Sequence, residues 1–411
     1  MQAMASEPSP SPPLRILIIS EMSPPHAVGG GETRYALLAR ELVRMGHRVR
    51  WLSMRQRACA DRELIDGVEH WHTGPRISDP PLRPLVAKLR FMLLVLLHLL
   101  RHRYDIVDCQ TYAPLPAAWL ACRLRRQPLV ATIHDTAAAQ PSADQWLSSL
   151  DARLAGLVET RLYRLSYDRV LTVSQAVREA LVTRYGLPAP RVSVVANGID
   201  TEAIAGTPAA ADQADLIFVG RLVPHKHPEH VLELLALLNE RRRASGRAAL
   251  RLKIVGAGPL APTLRAQAMA LGLAAQLSFV GELPSQADVW AQLRAARVLV
   301  LPSTREGFGL VLAEALAAGA AVATYDIPAL HETLGPDLLD CLAPCGDVAA
   351  LADRVQWLLD DRPQFERVVR VGQQRVRALY GSAMFAQGAL AVYGAAMARH
   401  RQPSVEGRQA P

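Results

Sequence analysis

The chain has 411 residues, a formal net charge of +8, and a makeup that is half apolar and one fifth charged. That length suggests two to three domains, enough for two full cores, and no basic run with interleaved aromatics marks a nucleic-acid partner. Its five cysteines, Cys59, Cys109, Cys122, Cys341 and Cys345, fit neither a disulfide framework nor a zinc spacing and read as free thiols of a cytoplasmic protein.

Residues 1–13 form a Pro/Ser-rich tail, expected to be disordered, without the apolar core of a signal peptide. The first strand, Leu14 to Ser20, is apolar throughout, as buried parallel strands are. A glycine-rich loop with Gly29, Gly30 and Gly31 follows, then a helix from Glu32 to about Met45 that Gly46 closes. Glycines between a strand and a helix let backbone N–H groups approach a phosphate. The loop is neither a G-x-G-x-x-G fingerprint nor a P-loop.

Residues 81–103 are helical, apolar on much of their circumference and basic at both ends. Two readings stay open: an interfacial helix on an anionic membrane surface, or a core helix covering the sheet. The apolar run Phe91 to Leu100 is too short to span a bilayer of roughly 30 Å. Strands at Tyr104–Gln110 and Leu129–Asp135 come next, the second delivering His134 at its carboxyl end, where ligands bind in open α/β sheets. Arg169–Val177 is a strand-to-helix step with Ser174 as N-cap. The first domain spans 14–196, and the aperiodic stretch 197–213 reads as a linker.

From 214 to 380 short apolar strands alternate with helices that begin near Pro228, Pro259, Pro284, Phe308 and Pro328, the pattern of βαβ units and a second parallel sheet. At the first strand's end, GRLVPHKHPEH carries Arg221 and Lys226. Arginine offers a planar fork and lysine a mobile point charge, a useful pair for a diphosphate. Lysine occurs only at 88, 226 and 253, so its presence here, where composition favours arginine, is informative. Further on, LPSTREGFGLVLAE places Glu306, Gly307, Phe308, Gly309, Leu310 and Glu314 on a strand, a tight loop and a helix start. Backbone N–H groups and the helix dipole suit an anion, while the two glutamates suit neutral sugar and ribose hydroxyls beside it. Residues 347–380 read as two helices, 381–400 as a last one and 401–411 as a disordered tail.

EGFGLVLAE resembles the paired-glutamate motif of the retaining family 4 glycosyltransferases, which have the GT-B fold: α/β, two Rossmann-like parallel-sheet domains facing a central cleft. SPPHAVGGGETR resembles that family's glycine loop against the donor diphosphate and acceptor, which implies donor contacts at Gly30 and Gly31. GRLVPHK resembles its Arg-Leu-x-x-x-Lys motif, although the glycine often found after the lysine is His227 here. IVGAGP, with Gly256 and Gly258, resembles the glycine turn near the nucleotide. GEL, with Glu282, resembles the segment whose backbone contacts the base. Asn197-Gly198-Ile199-Asp200 resembles the hinge motif, and His134 the histidine near the reacting sugar. TYDIPALHE departs from the family, where glycines follow that strand, which leaves nucleotide and acceptor preference open.

The resemblance covers about residues 14–400. It implies transfer of a hexosyl group, with retention, from a UDP- or GDP-sugar to a glycan, glycolipid or small-molecule acceptor. Arg221 and Lys226 would neutralise the leaving diphosphate, Glu306 and His134 would hold the sugar, and Glu314 the ribose. No cofactor is expected and no metal, since the chain offers neither an Asp-x-Asp motif nor a His/Cys cluster. The sequence also leaves room for a glycoside hydrolase using Glu306 and Glu314, an epimerase, or a non-catalytic sugar-nucleotide binder. A cytoplasmic location, with peripheral attachment to the inner face of a membrane left open, and a role in cell-surface glycan or glycolipid assembly complete the expectation.

Overall fold

The computed structural model describes residues 12–402 apart from 27–28, 57–58, 78–84, 112 and 137–157. The expected disordered tails fall almost wholly outside the described residues, as does the start of the 81–103 segment. Eight strands make the first sheet: β1 (Arg15–Ile19), β2 (Arg48–Gln56), β3 (Arg62–Ile65), β4 (Val68–Ile77), β5 (Ile106–Gln110), β6 (Leu129–Ile133), β7 (Arg169–Thr172) and β8 (Val192–Val194), in the order β3-β4-β2-β1-β5-β6-β7-β8. Six make the second: β9 (Ala214–Val219), β10 (Leu252–Val255), β11 (Leu277–Gly281), β12 (Ala296–Leu301), β13 (Ala321–Tyr325) and β14 (Leu342–Ala343), ordered β11-β10-β9-β12-β13-β14.

Both sheets are parallel except at one edge, where β3 and β4 pair antiparallel. The two Rossmann-like parallel-sheet domains are as expected, and this edge hairpin is an addition to the first of them. Asp66 and Gly67, both at positive φ (51° and 78°), make the two-residue turn that joins it. Continuous apolar sequence explains the central strands. Ile16 to Ile19 and Val298 to Leu301 are completely buried because helices cover both faces.

Each sheet reverses its strand order once, between β1 and β5 in the first and between β9 and β12 in the second. Ligands of open α/β sheets bind outside the carboxyl ends of the strands at such switch points. The glycine loop follows β1 and the Arg221–Lys226 segment follows β9. The Glu306 loop follows β12.

The 197–213 stretch is not wholly irregular. Asp200 caps a short helix, Thr201–Gly206, by accepting from the Ala203 N–H. Helices Val348–Asp360 and Arg362–Leu379 finish the second domain. The last helix, Ser382–Arg401, then packs on the first: Phe385, Ala389 and Tyr393 share a core with Ile16, Ile18 and Leu38. It is pinned by a fully buried carboxylate, Asp108, which accepts from the hydroxyls of Tyr393 (2.6 Å), Tyr35 (2.9 Å) and Thr132 (2.6 Å). Three donors offset the cost of burying that charge.

Within segment 81–103 the helix Leu85–Arg101 has one face in the core and one face exposed. Ala87, Phe91, Val95 and Leu99 face the core at a spacing of four. Leu85, Val86, Leu89 and Leu93, each more than half exposed, face out beside Arg90. Among the described residues no helix is long and apolar enough to cross a membrane. The five cysteines are free, and only Cys345 is exposed.

Candidate active site

The second domain supplies the cations. Past β9 the chain turns at Gly220, and Arg221 leaves the strand exposed, its side chain making no hydrogen bond or ion pair among the described residues. Gly256 and Gly258 support this turn. A Cβ on Gly256 would stand 2.0 Å from the Gly220 carbonyl oxygen, and one on Gly258 would stand 2.4 Å from that of Leu222. Their small size is spent on backbone packing that aims Arg221 rather than on room for a ligand. A single 3-10 turn, Pro224–Lys226, then brings Lys226 round, and its Nζ lies 2.5 Å from Glu306 Oε1. Arg305 adds a third charge. The cluster leaves a mark on His225, held to about 4 by burial and then by Arg305, Lys226 and Arg221.

His227, where the family favours glycine, sits in the left-handed region at φ 45°, ψ 52°. Its Nδ1 pairs with Glu229 (2.8 Å) and its ring stacks on His230 at 4.6 Å. Left-handed backbone costs a side chain about 1–2 kcal/mol, most for β-branched residues. His227→Val is therefore expected to destabilise by about 2 kcal/mol, whereas His227→Gly stays within about 1 kcal/mol of wild type, read from urea midpoints at constant slope.

After β12 the chain presents Glu306 and then packs tightly. The Phe308 ring does not face the cleft. It is 4% exposed and meets Tyr380 edge-on at 5.1 Å, so it can offer a ligand only its backbone. Gly309, at φ 84°, has no room for a side chain, because a Cβ would lie 2.4 Å from Leu330. It begins the helix Leu310–Ala318 without a side-chain cap, which leaves first-turn N–H groups free for an anion. One turn on, Glu314 is 6% exposed and accepts from Gln286 Nε2 (2.7 Å) and Trp290 Nε1 (3.1 Å), both on its Oε1. Burial lifts its carboxyl to about 7 against those two bonds. Glu282 is exposed just past β11, after Gly281 at φ 83°.

The first domain supplies the facing wall. Gly29 precedes and Gly30 opens the helix Gly30–Arg44, which starts two residues earlier than its sequence implies. Gly31 lies against Gln110 and His134: a Cβ there would be 2.7 Å from Gln110 Nε2 and 3.8 Å from His134 Nε2. His134 Nε2 is buried without a hydrogen-bond partner. Burial, aided by Arg34, lowers His134 to about 3, so the imidazole is neutral at physiological pH. A neutral ring with a free nitrogen suits a sugar hydroxyl better than a phosphate. Glu32, in the same helical turn, is raised by burial and drawn back down in part by Arg221 across the cleft.

The two walls touch. A Cβ on Gly307 would come 2.0 Å from the His134 carbonyl oxygen, and one on Gly30 3.3 Å from Leu310 Cδ1. Arg305 reaches Asp135 at 3.2 Å. Glu332, from the helix Pro328–Leu334, accepts from the N–H groups of Gln175 and Ala176 at 2.7 Å each, capping a helix of the other domain. Glu332→Ala is expected to cost the closed state about 1 kcal/mol, the worth of a helix cap. Donor KM then rises about fivefold with kcat nearly unchanged, measured by initial rates.

Comparison with known proteins decides the family. Residues 28–203 match the model of Glycosyltransferase Family 4, and residues 200–375 match that of Glycosyl transferases group 1. The chain belongs to the family 4 glycosyltransferases. Among curated relatives of this glycosyltransferase, glycogen synthase of Mycobacterium tuberculosis is 33% identical over 308 residues, 73% of this chain and 71% of the relative. Among solved structures, sucrose-phosphate synthase from Thermosynechococcus elongatus superposes with a TM-score of 0.77 at 22% identity, covering 93% of this chain and 99% of that one. Anabaena HepE in complex with UDP-glucose gives 0.70 at 19% identity, over 93% and 100% of the two chains. These are GT-B neighbours, and the glycosyltransferase shares their two-domain α/β fold.

In this glycosyltransferase the fold brings Arg221, Lys226, Glu306, the Gly307–Leu310 turn, Gly30, Gly31 and His134 to one cleft. Sequence reasoning missed the Arg305–Asp135 bridge, although each partner adjoins a residue it singled out. It also missed Gln286 and Trp290, which hold Glu314 from a helix with no motif of its own.

Proposed function

We propose that this glycosyltransferase moves a hexosyl group from a nucleoside-diphosphate sugar to an acceptor hydroxyl with retention of anomeric configuration. One observation carries the reading: three cations and an uncapped helix N-terminus meet in one corner, between a buried carboxylate and a neutral histidine. The cations and N–H groups take up negative charge as the sugar–phosphate bond breaks. Glu314 accepts from the ribose hydroxyls, while Glu306 and His134 hold hydroxyls of the transferred sugar. The acceptor approaches on the face the diphosphate leaves and passes its proton to the departing phosphate oxygen. With that charge neutralised by side chains, the diphosphate calls for no metal. Domain closure excludes water and favours transfer over hydrolysis.

A UDP-sugar is the preferred donor, in keeping with the UDP-glucose complex of HepE, with a GDP-sugar as the alternative. The acceptor is a glycan, glycolipid or small molecule, in cell-surface glycan or glycolipid assembly. The exposed leucines 85, 89 and 93 beside Arg90 support peripheral attachment of a cytoplasmic enzyme to an anionic membrane. Sedimentation with liposomes tests that attachment, and no dependence on anionic lipid would sink it.

The test of the reaction uses UDP- and GDP-hexoses with mixed acceptors and no added divalent metal. Nucleoside diphosphate release should require acceptor, and proton NMR should find the donor's anomeric configuration in the product. An inverted product, or equal donor loss without acceptor, would overturn the reading.

A further inference from the structure

Three ligand-type side chains meet at the edge of the first domain, outside the donor cleft. His26 lies in the loop after β1, Glu63 on β3 and His72 on β4. His26 Nε2 is 2.9 Å from Glu63 Oε2, His72 Nε2 is 3.6 Å from the same oxygen, and the three ligand atoms all lie within 4.8 Å of one another. In a tetrahedral zinc site with bonds of about 2.0–2.1 Å, neighbouring donor atoms stand about 3.3 Å apart. The two distances bracket that value.

The groups behind the ligands are also in place. His72 Nδ1 lies 2.9 Å from Ser53 Oγ, which can pass its own proton to the Met54 carbonyl at 3.5 Å. With the His72 proton on Nδ1, Nε2 carries a lone pair. That atom is fully buried, has no hydrogen-bond partner, and faces the other two ligands. Glu63 Oε1 is held by the Ala60 N–H at 2.8 Å, which leaves Oε2 to the cluster. Orienting bonds of this kind fix the tautomer and direction of metal ligands. The His26 and Glu63 side chains remain 16% and 21% exposed, which gives an ion a way in and leaves its fourth position to water.

We propose that His26, Glu63 and His72 form a divalent-metal site of the zinc type. The three residues come from segments with no ligand spacing, and they make a His/Glu/His group rather than the His/Cys cluster whose lack in the sequence led to the expectation of no metal. The site is separate from the diphosphate corner and takes no part in neutralising the leaving group. Its effect is mechanical: it ties the loop after β1, three residues before Gly29, to the β3–β4 hairpin and so steadies the approach to the glycine loop. A second group, His227, Glu229 and His230, makes a poorer site. Its rings stack face to face, and Tyr325 and Thr304, both outside the group, lie within hydrogen-bond distance of His230 Nδ1 and His227 Nε2.

The test is calorimetric titration of Zn²⁺ into the full chain after chelation and desalting, with His26→Ala, Glu63→Gln and His230→Ala in parallel. The two altered ligands are partly exposed, so their variants should fold, and circular dichroism checks that they do. Wild type and His230→Ala should bind one equivalent, and His26→Ala and Glu63→Gln should bind it at least about tenfold more weakly. Zn²⁺ should raise the melting temperature of only the first pair, and Co²⁺ in its place should give the intense visible bands of a four-coordinate ion. No binding to wild type, or binding unchanged in both ligand variants, would overturn the proposal. Neither result bears on the glycosyl-transfer reading.

Discussion

Lys226→Ala is expected to lower kcat by about 10²–10³-fold while donor KM rises far less, the loss typical of removing one preorganised group aimed at developing charge. Without donor, Lys226 is paired with Glu306 at 2.5 Å, both side chains being largely buried. On the proposed reading, a diphosphate arriving between them would compete for the ammonium and release Glu306 toward the sugar hydroxyls. The lysine charge would then go partly to Glu306 before the reaction and fully to the leaving group during it. Lys226→Arg keeps the charge and should recover part of the rate. Its planar fork cannot follow the same path round the 3-10 turn, so recovery stays incomplete. Truncation also leaves Glu306 without its partner, so melting temperatures should accompany the rates. A wild-type kcat in Lys226→Ala would remove this residue from the chemistry.

Glu314 gives the second large effect, with a pH signature. Hydrogen bonds to a charged group are each worth about 1.5–3 kcal/mol. Glu314→Ala should therefore weaken nucleotide binding by about 10–100-fold. Burial lifts the carboxyl from 4.5 to about 7, so near neutrality it is partly protonated. The sign of the stability effect follows. A group whose folded pKa lies above its unfolded value stabilises the native state most below about 4.5, and that advantage is lost as pH rises through about 7. The difference between wild type and Glu314→Gln in unfolding free energy should change by about 3 kcal/mol across that window. Donor binding runs the other way. On the proposed reading the ribose hydroxyls donate to the carboxylate, so affinity should rise with pH up to about 7 and release a proton on binding, while Glu314→Gln stays flat. Calorimetry in two buffers of different ionisation heat reads the proton directly.

Much of this was legible because the sequence obeys local rules. Fully apolar runs such as Ile16–Ile19 and Val298–Leu301 mark buried parallel strands, and Ser174, which accepts from the Val177 N–H, marks a helix start. The cations after β9 were legible because lysine is rare in this chain. What escaped were features that only the folded chain brings together. The Asp66-Gly67 turn is a standard hairpin signal, but its flanking strand Arg62–Ile65 is an exposed edge without apolar alternation. Glu332 carries no local signal of its role, because its target is a helix start 156 residues away. Gly256 and Gly258 were readable as essential, while their use, making room for the backbone behind Arg221, depended on packing. Phe308 belonged to a binding motif by position, yet the core claimed its ring.

The account rests on a nucleotide-sugar lodged between the Arg221–Lys226 corner and Glu314. A thermal-shift series with UDP, GDP, ADP and their hexose conjugates, on wild type, Lys226→Ala and Glu314→Ala, tests that most directly, because a ligand that binds only the native state raises its melting temperature. The account predicts that one nucleotide family, UDP before GDP, stabilises the wild type and that both variants lose most of the shift. No shift with any nucleotide at saturating concentration, or an equal shift in all three proteins, would contradict it.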